Sequence, residues 1–408
     1  MSMKRQSLKQ NNRKIIIEFL RDRDELSISQ IAKAVHLSVP TVKKVLDYYI
    51  DFGLIEITGK GDSTLDGGKR PDLYRLNGEY GYVIALHVGP DFIYSAIFDL
   101  KINCISSSSE ELHGSPSDEE VLERLIAIGN NFRNSQWAHG KKLVNVIIAL
   151  PGIVNAITGE SIYSPHYPQW SSNFPFVEKF TIAFDKNVPV FSDGVNRLQA
   201  VAESMKGQAK GKRNFLIVDA MEEGVGAGII VKGSHLHGFN HLAGEIGHII
   251  IDPRGPDCIC GGKGCFEAAV SVKHIKKLLK EGFKEHSGSA IYNDKDPCDV
   301  TLSDLFFYAR KGDEYSIELL DLIATYFAIG LNNILMVINP DLVIIQGIYV
   351  DAGPEFIASI KQKLGKLSLP KVKHNFSLIY THFGNERGAL GAGCFGVEHY
   401  FEQMELYY

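Results

Sequence analysis

Three cysteines, Cys258, Cys260 and Cys265, fall within eight positions, separated by Gly261, Gly262 and Gly264, and His248 lies a short way upstream. Three thiolates and an imidazole are the ligand set of a tetrahedral zinc site, and glycines let the chain turn tightly from one ligand to the next. Four protein ligands leave no open coordination position, so such a site is structural rather than catalytic. The competing reading is three buried, unligated cysteines. The remaining cysteines, Cys104, Cys298 and Cys394, are scattered. A clustered trio in a chain without a secretory leader reads as metal binding before disulfides.

A second chemistry sits near the N-terminus. Residues 1–78 hold 14 Lys and Arg against 10 Asp and Glu, an excess of four positive charges in a chain whose net charge is −5. A basic head on an acidic body suits a polyanion. The elements that position these charges follow from local pattern. Apolar residues Leu8, Ile15, Ile16, Phe19 and Leu20 have helical spacing over residues 7–22. Ser27 is an N-cap for a helix over 28–35, and Ser38 caps the next, with Pro40 in its first turn. That third helix runs to Ile50 and turns Val42, Val45, Leu46 and Tyr49 inward, leaving Thr41, Lys43, Lys44 and Tyr48 outside. Gly53 ends it. Strands over 54–58 and 72–77 flank a polar, Gly-rich stretch containing Lys69 and Arg70. Helix, helix, turn, helix and hairpin is the winged helix-turn-helix pattern. Thr41, Lys43, Lys44 and Tyr48 are then expected in the major groove, with Lys69 and Arg70 reaching DNA from the wing. A winged helix can instead be a protein-interaction module.

After Gly78 the texture becomes α/β: apolar strands over 82–89, 92–98, 143–150, 215–218, 229–231 and 342–345, with a helix over 121–132, suggest two lobes around a cleft. At 408 residues the chain is long enough for two or three domains, and 45% hydrophobic with 22% charged content supplies ample core. No uninterrupted apolar run has the length of a bilayer span, and the polar start has no apolar core of a signal peptide. A cytoplasmic protein with no membrane partner is expected.

Glu245-Ile246-Gly247-His248, followed by Cys258-Ile259-Cys260-Gly261-Gly262-Lys263-Gly264-Cys265-Phe266-Glu267, resembles the signature of the ROK family of repressors and sugar kinases. The likeness runs along nearly the whole chain. Residues 67–77 are similar to the wing of ROK repressors, and Leu150-Pro151-Gly152-Ile153-Val154 resembles the family's Pro-Gly turn beside the sugar. The resemblance implies a winged helix-turn-helix domain over 1–78, a first α/β lobe over 79–200 completed by a C-terminal helix at 386–408, and a second lobe over 201–385 with a structural Zn2+. The two lobes would have the sugar-kinase, actin-like ATPase-type fold. It also implies that Glu245 and His248 hydrogen-bond sugar hydroxyls, His248 ligating zinc as well, and that Glu267 is a further sugar contact. Carboxylates suit this, since each accepts two hydroxyl hydrogens. The alternative is that Glu245 and Glu267 only cap or pair near the zinc.

The kinase half of the resemblance breaks down. The family's first phosphate loop, Asp-x-Gly-Gly-Thr, is replaced by His87-Val88-Gly89-Pro90-Asp91. The magnesium carboxylate is lost, Pro90 removes a backbone donor, and Asp91 adds charge where phosphate would lie. The second loop, Gly-Thr-Gly-x-Gly-x-Gly, becomes Glu222-Glu223-Gly224-Val225-Gly226-Ala227-Gly228, with a carboxylate for the hydroxyl. A third glycine pair reads Gln346-Gly347-Ile348. The family's Asn-Asp base, counted back from Glu203, falls on Val195, so Asp193 and Asn196 are expected as sugar contacts and not as a catalytic pair. A sugar-responsive DNA-binding regulator, a repressor that binds a sugar or sugar phosphate without phosphorylating it, is therefore expected. Operator DNA with two half-sites implies a homodimer or a dimer of dimers. The alternative is an ATP-dependent sugar kinase with an appended DNA-binding head.

Overall fold

The computed structural model describes residues 2–62, 70–222, 224–293, 295–367 and 375–403, with side chains from residue 11 on. The chain forms two compact units. One comprises the residues up to Asp193 together with those from Gly388, and the other is Gly194–Arg387.

The first unit opens with α1 (Ser2–Arg21), β1 (Leu26–Ser27), α2 (Ile28–Ala34), α3 (Val39–Asp51), β2 (Ile55–Lys60) and β3 (Asp72–Leu76). Helix α1 begins earlier than hydrophobic spacing alone indicates. Ile16, Ile17 and Leu20 bury its inner face. Ser27 closes a capping box with Gln30, its Oγ accepting from Gln30 N at 3.4 Å while Gln30 Oε1 accepts from Ser27 N at 2.8 Å. Ser38 caps α3 through Thr41 N at 3.3 Å. The strands pair in the order β1-β3-β2, so three helices and a small antiparallel sheet make up this N-terminal head. The wing tip lies outside the described residues. The head does not hang free: Leu100 N donates to Gly78 O (3.0 Å) and Lys101 Nζ to Arg23 O (3.1 Å).

The same unit continues with β4 (Gly81–Val88), β5 (Phe92–Asp99), β6 (Cys104–Glu111), α4 (Asp118–Arg133), β7 (Lys142–Leu150), β8 (Ile153–Asn155), β9 (Glu160–Tyr163), α5 (Phe176–Phe184) and β10 (Val190–Gly194). Its main sheet has the order β10-β7-β4-β5-β6. Strand β4 is antiparallel to β5 and parallel to β7. Ile84, Leu86, Val146 and Ile148 point to one face and pack with Val121 and Leu125 of α4 and Phe176 and Phe180 of α5.

The second unit holds α6 (Val195–Met205), β11 (Phe215–Met221), β12 (Gly224–Val231), β13 (Ser234–His235), α7 (Phe266–Val270), α8 (Val272–His286), α9 (Leu302–Arg310), α10 (Glu314–Ile338), β14 (Leu342–Gly347), α11 (Pro354–Leu367) and β15 (Ser377–Tyr380). Its sheet, β13-β12-β11-β14-β15, repeats the first topology: β11 is antiparallel to β12 and parallel to β14. Leu216, Val218, Val343 and Ile345 pack against Phe266, Phe327 and Phe356 on one face, and Phe215, Ile217 and Ile344 meet Ala200 of α6 on the other. Burial on both faces explains the unbroken apolar strands. The 25-residue α10 is long and apolar enough to cross a membrane by length and composition, with a mean hydropathy of 1.6 over one stretch. Polar positions interrupt that stretch, which is why no continuous apolar run marks it in the sequence. Ile323, Phe327, Leu331 and Ile334 of this helix belong to the core of the unit.

Helix α12 (Arg387–Gln403) starts at the end of the second unit and finishes the first. It covers the face of the first sheet opposite α4 and α5. A Cβ on Gly393 would come within 2.3 Å of Phe98, and one on Gly396 within 2.6 Å of Val83. Asn145 Nδ2 donates to Gly396 O at 2.8 Å. Glycine at both positions lets the helix backbone lie directly on the strands.

Candidate functional site

His248, Cys258, Cys260 and Cys265 converge in the second unit, with one ligand atom from each lying within 4.8 Å of all the others. Cys260 Sγ is 3.7 Å from Cys265 Sγ, and Cys258 Sγ is 3.8 Å from His248 Nδ1. Two thiolates each about 2.3 Å from a tetrahedral zinc lie roughly 3.8 Å apart, so the spacing fits that ion. It is far too long for a disulfide. Backbone bonds draw the loop closed: Ile251 N donates to Gly264 O (2.8 Å), Gly264 N to Pro256 O (2.8 Å) and Cys258 N to Gly262 O (2.9 Å). Gly264 has φ +68°, and a Cβ there would collide with Asp252 O, so this turn requires glycine. Burial pushes the Cys258 and Cys265 thiols up, whereas the Gly262 N–H beside Cys260 holds that thiol down. A bound cation would offset the cost of ionising the two buried sulfurs.

Two of the carboxylates adjoin this cluster. Glu267, in α7, places Oε1 at 3.3 Å from Cys258 Sγ and 3.5 Å from His248 Nδ1. Its Oε2 accepts from Val225 N at 3.3 Å. Glu267 thus ties the metal loop to the start of β12. Glu245 opens the short turn that ends at His248. Burial raises its carboxyl above the ordinary range, and Glu267 adds to this against the pull of His248 and Arg197.

The other two expected sugar contacts part company. Asp193 lies in β10, buried, in the first unit. Asn196, in α6 of the second unit, is drawn into a buried polar network that the sequence reading did not find. With the Gln199 amide oriented to satisfy its neighbours, its nitrogen donates to Asp219 Oδ2 (3.1 Å) and Asn196 Oδ1 (3.2 Å), and its oxygen accepts from Arg387 Nε (3.3 Å). Arg387 Nη2 lies 3.4 Å from Asp219 Oδ1, and Arg387 Nη1 donates to Gly384 O at 3.0 Å. Nothing in local sequence marks Gln199, Asp219 or Arg387, whose partners lie far away along the chain.

The regions expected as phosphate loops are occupied by protein. In the β4–β5 hairpin, a Cβ on Gly89 would sit 2.4 Å from the Phe92 ring, and Tyr167 donates its hydroxyl to Gly89 O at 2.6 Å. His87 is buried, with its ring edge-on to Phe92 at 5.3 Å. The stretch from Gly224 to Gly228 is not an open turn but the first half of β12. A Cβ on Gly226 would meet Asn196 Nδ2 at 2.0 Å, and one on Gly228 would meet Asn196 O at 2.1 Å. These glycines let α6 pack on β12, which is reason enough for them without any phosphate. Glu223 lies outside the described residues.

On the head, Lys43, Lys44 and Arg70 are exposed, and Lys43 pairs with Asp47 at 3.6 Å. Thr41 Oγ1 lies 2.8 Å from Ser38 Oγ at the helix cap. Tyr48 corrects the expectation of an outward side chain. Arg13 of α1 stacks over its ring at 3.8 Å, and its hydroxyl is buried with no hydrogen-bond partner among the described residues. The helical wheel of α3 places Tyr48 outside, but α1 occupies that side. Lys69 lies outside the described residues.

The pattern of the ROK family matches residues 83–396. The chain is 26% identical over 402 residues to a xylose repressor of Bacillus spizizenii, covering 98% of each protein. It is 33% identical over 253 residues to a glucokinase of Halalkalibacterium halodurans, covering 62% of this chain and 75% of that one. Its fold is shared with the crystal structure of a ROK family transcriptional regulator, a homologue of the E. coli MLC protein, with a TM-score of 0.81 at 23% identity and coverage of 98% and 99%. With the metal-loop signature and the paired sheets already in place, a match over three-quarters of its length makes this chain a member of the ROK family.

Proposed function

We propose that the chain is a sugar-responsive DNA-binding repressor whose second unit holds a structural zinc and binds a sugar without phosphorylating it. The observation that carries this reading is the contrast within the α/β body. Carboxylates and an imidazole converge beside the metal loop, while the β4–β5 turn is closed by Tyr167 and Phe92. The similarity to a xylose repressor supports it, since that match spans the head as well as the body.

In this reading His248, Cys258, Cys260 and Cys265 hold Zn2+, which supplies folding energy and no chemistry of its own. Glu245 accepts hydroxyl hydrogens, joined by His248, Glu267 and Asn196 of the same unit. Thr41, Lys43 and Lys44 of α3, with Lys69 and Arg70 of the wing, contact operator DNA. Tyr48 supports the helix from behind. A homodimer or dimer of dimers presents two heads to two half-sites. The sugar acts by favouring one conformation of the chain, and the coupling is reciprocal: DNA changes sugar affinity by the factor by which sugar changes DNA affinity.

The test is a DNA titration with and without D-xylose, D-glucose, N-acetyl-D-glucosamine and their phosphates. Glu245→Gln is expected to weaken the sugar response by roughly 1.5–3 kcal/mol of sugar binding while leaving sugar-free DNA affinity unchanged. Lys44→Ala and Arg70→Ala are expected to lower the log–log salt slope by about one unit each. Normal DNA binding by both lysine and arginine variants at every salt concentration would overturn the head's role. The glucokinase similarity favours a second reading, an ATP-dependent sugar kinase. A coupled assay with MgATP and the same sugars decides it, and no turnover is expected.

A further inference from the structure

Helix α8 concentrates positive charge on one side. It carries five lysines, Lys273, Lys276, Lys277, Lys280 and Lys284, against two acids, Glu281 and Glu285. All five lysines are exposed. At about 100° per residue they fall in one sector of the helix about 100° wide, with both glutamates to one flank of it. Ile275 and Leu279, on the opposite side, are buried in the core of the second unit. Ser271 fixes the start of the helix, its Oγ accepting from His274 N at 3.2 Å. The lysines therefore stand on a helix pinned by its other face, and from Lys273 to Lys284 the stripe runs about 16 Å along the axis.

This layout works against the helix that bears it. Lys273 and Lys277, Lys276 and Lys280, and Lys280 and Lys284 each lie four positions apart, where like charges repel. Lys273 stands in the first turn, where the helix dipole disfavours a cation, and no acid balances it there. Helix α4 of the same chain does the opposite and opens with Asp118, Glu119 and Glu120. Among the described residues only Lys277 of the stripe has an ion pair, with Glu281 at 3.8 Å, and both of those side chains are exposed. Packing and helix stability give no reason for the stripe. A polyanion laid along it would relieve the repulsion and release counterions.

We propose that the lysine face of α8 is a second, sequence-independent contact for the phosphate backbone of double-stranded DNA. This rests on the repressor reading for the presence of DNA, and it lies wholly in the second unit, apart from the residues assigned to the head. Lysine is a point charge on a flexible stem, suited to phosphates and unable to read bases as a planar fork does. Duplex DNA carries about one charge per 1.7 Å of axis, so a stripe of this length meets several phosphates whatever its register. An acidic helix would offer about one carboxylate per turn on a matching face.

The test is a salt titration of the full chain on a mixed-sequence duplex. Lys273→Gln, Lys276→Gln, Lys280→Gln and Lys284→Gln combined is expected to lower the log–log salt slope by about three units and to weaken binding at low salt about tenfold or more. The unfolding midpoint of this variant is expected to equal or exceed that of wild type, since repulsion is removed, which separates lost contact from lost fold. The same four positions changed to Arg are expected to keep the wild-type slope. Acetylation of the lysines, read by mass spectrometry, is expected to slow at all five positions of α8 when the duplex is added, and to slow less with poly-L-glutamate. A wild-type slope in the Gln variant overturns the proposal, as does protection of α8 by poly-L-glutamate and not by DNA. If Lys44→Ala lowers the slope while the α8 variant does not, the repressor reading stands and this one alone falls. A chain that binds no DNA at any salt concentration overturns both.

Discussion

The two units carry the same sheet, strand for strand, and use its leading hairpin in opposite ways. In the first, the β4–β5 turn is finished by hydrocarbon and a phenol: Phe92 folds back over Gly89 and Tyr167 binds its carbonyl. In the second, β11 and β12 are buttressed by charge. Glu267 reaches Val225 from α7, and Asp219 of β11 pairs with Arg387 at the start of α12. The difference teaches that a shared topology fixes where a turn stands and leaves its chemistry to a few side chains. A polyphosphate needs open backbone N–H groups and room, and in the β4–β5 turn Phe92 and Tyr167 lie against Gly89. A small polyhydroxylated ligand needs convergent acceptors, and in the second unit Glu267 and His248 lie side by side next to the cysteine loop.

The largest change should come from the charged side of this contrast. Cys265→Ser, at a buried ligand position, is expected to abolish metal binding and lower the unfolding midpoint by roughly 10 °C. Metal analysis with a thermal scan checks both, and unchanged metal content would break the comparison at its root. Next in size is the apolar side. Tyr167→Phe removes a buried hydrogen bond and is expected to cost roughly 1–3 kcal/mol of stability in a denaturant titration. The same scan on His87→Asp, which restores a carboxylate to the turn, is expected to show no stabilisation by MgATP, because Phe92 and Tyr167 still fill the space. A midpoint that rises with MgATP would mean the hairpin is open after all. Smaller is Glu267→Gln, which keeps an acceptor for Val225 N but removes the charge beside His248 and Cys258. Chelator competition should show metal affinity about tenfold weaker, and an unchanged affinity would make Glu267 a bystander. Smallest is Tyr48→Phe. Its hydroxyl is buried and unpaired, so operator affinity is expected within about twofold of wild type and stability equal or slightly higher. A large loss of DNA affinity would put that hydroxyl back on the surface.

How much of this was readable in advance depends on reach along the chain. The gathering of His248, Cys258, Cys260 and Cys265 and the Ser27 and Ser38 caps were legible, because each partner lies close by in sequence. The central strands β4, β5, β7, β11, β12 and β14 were legible as apolar runs, with ends misplaced by a few residues, whereas β6, β10 and β15 were not read. Tyr48 was misread because a helical wheel knows only its own helix, and here α1 covers the side that the wheel leaves open. The glycines of β12 were visible but their reason was not: they accommodate Asn196 of a helix that precedes them. Asp219, Gln199 and Arg387 gave no signal at all, since single polar residues in apolar segments become meaningful only when folding brings them together. The closing of the β4–β5 turn by Tyr167 was hidden for the same reason.

The route of the chain has one more consequence, for how the molecule is made. Synthesis runs from the N-terminus, yet among the described residues the sheet face formed by Val83, Phe98, Asn145 and Ile147 meets α12, which follows every strand of that sheet in the chain. The unit from Gly194 to Arg387 contains all its own elements and can close while translation is still under way. The DNA-binding head, although first out, gains the α12 partners of its Lys14, Glu398 and Glu402, last. A chain cut short before α12 would carry a closed second unit, a sheet face without α12 and a head that lacks its Lys14 pairs. The first unit is therefore complete only after the whole second unit and α12 have been made.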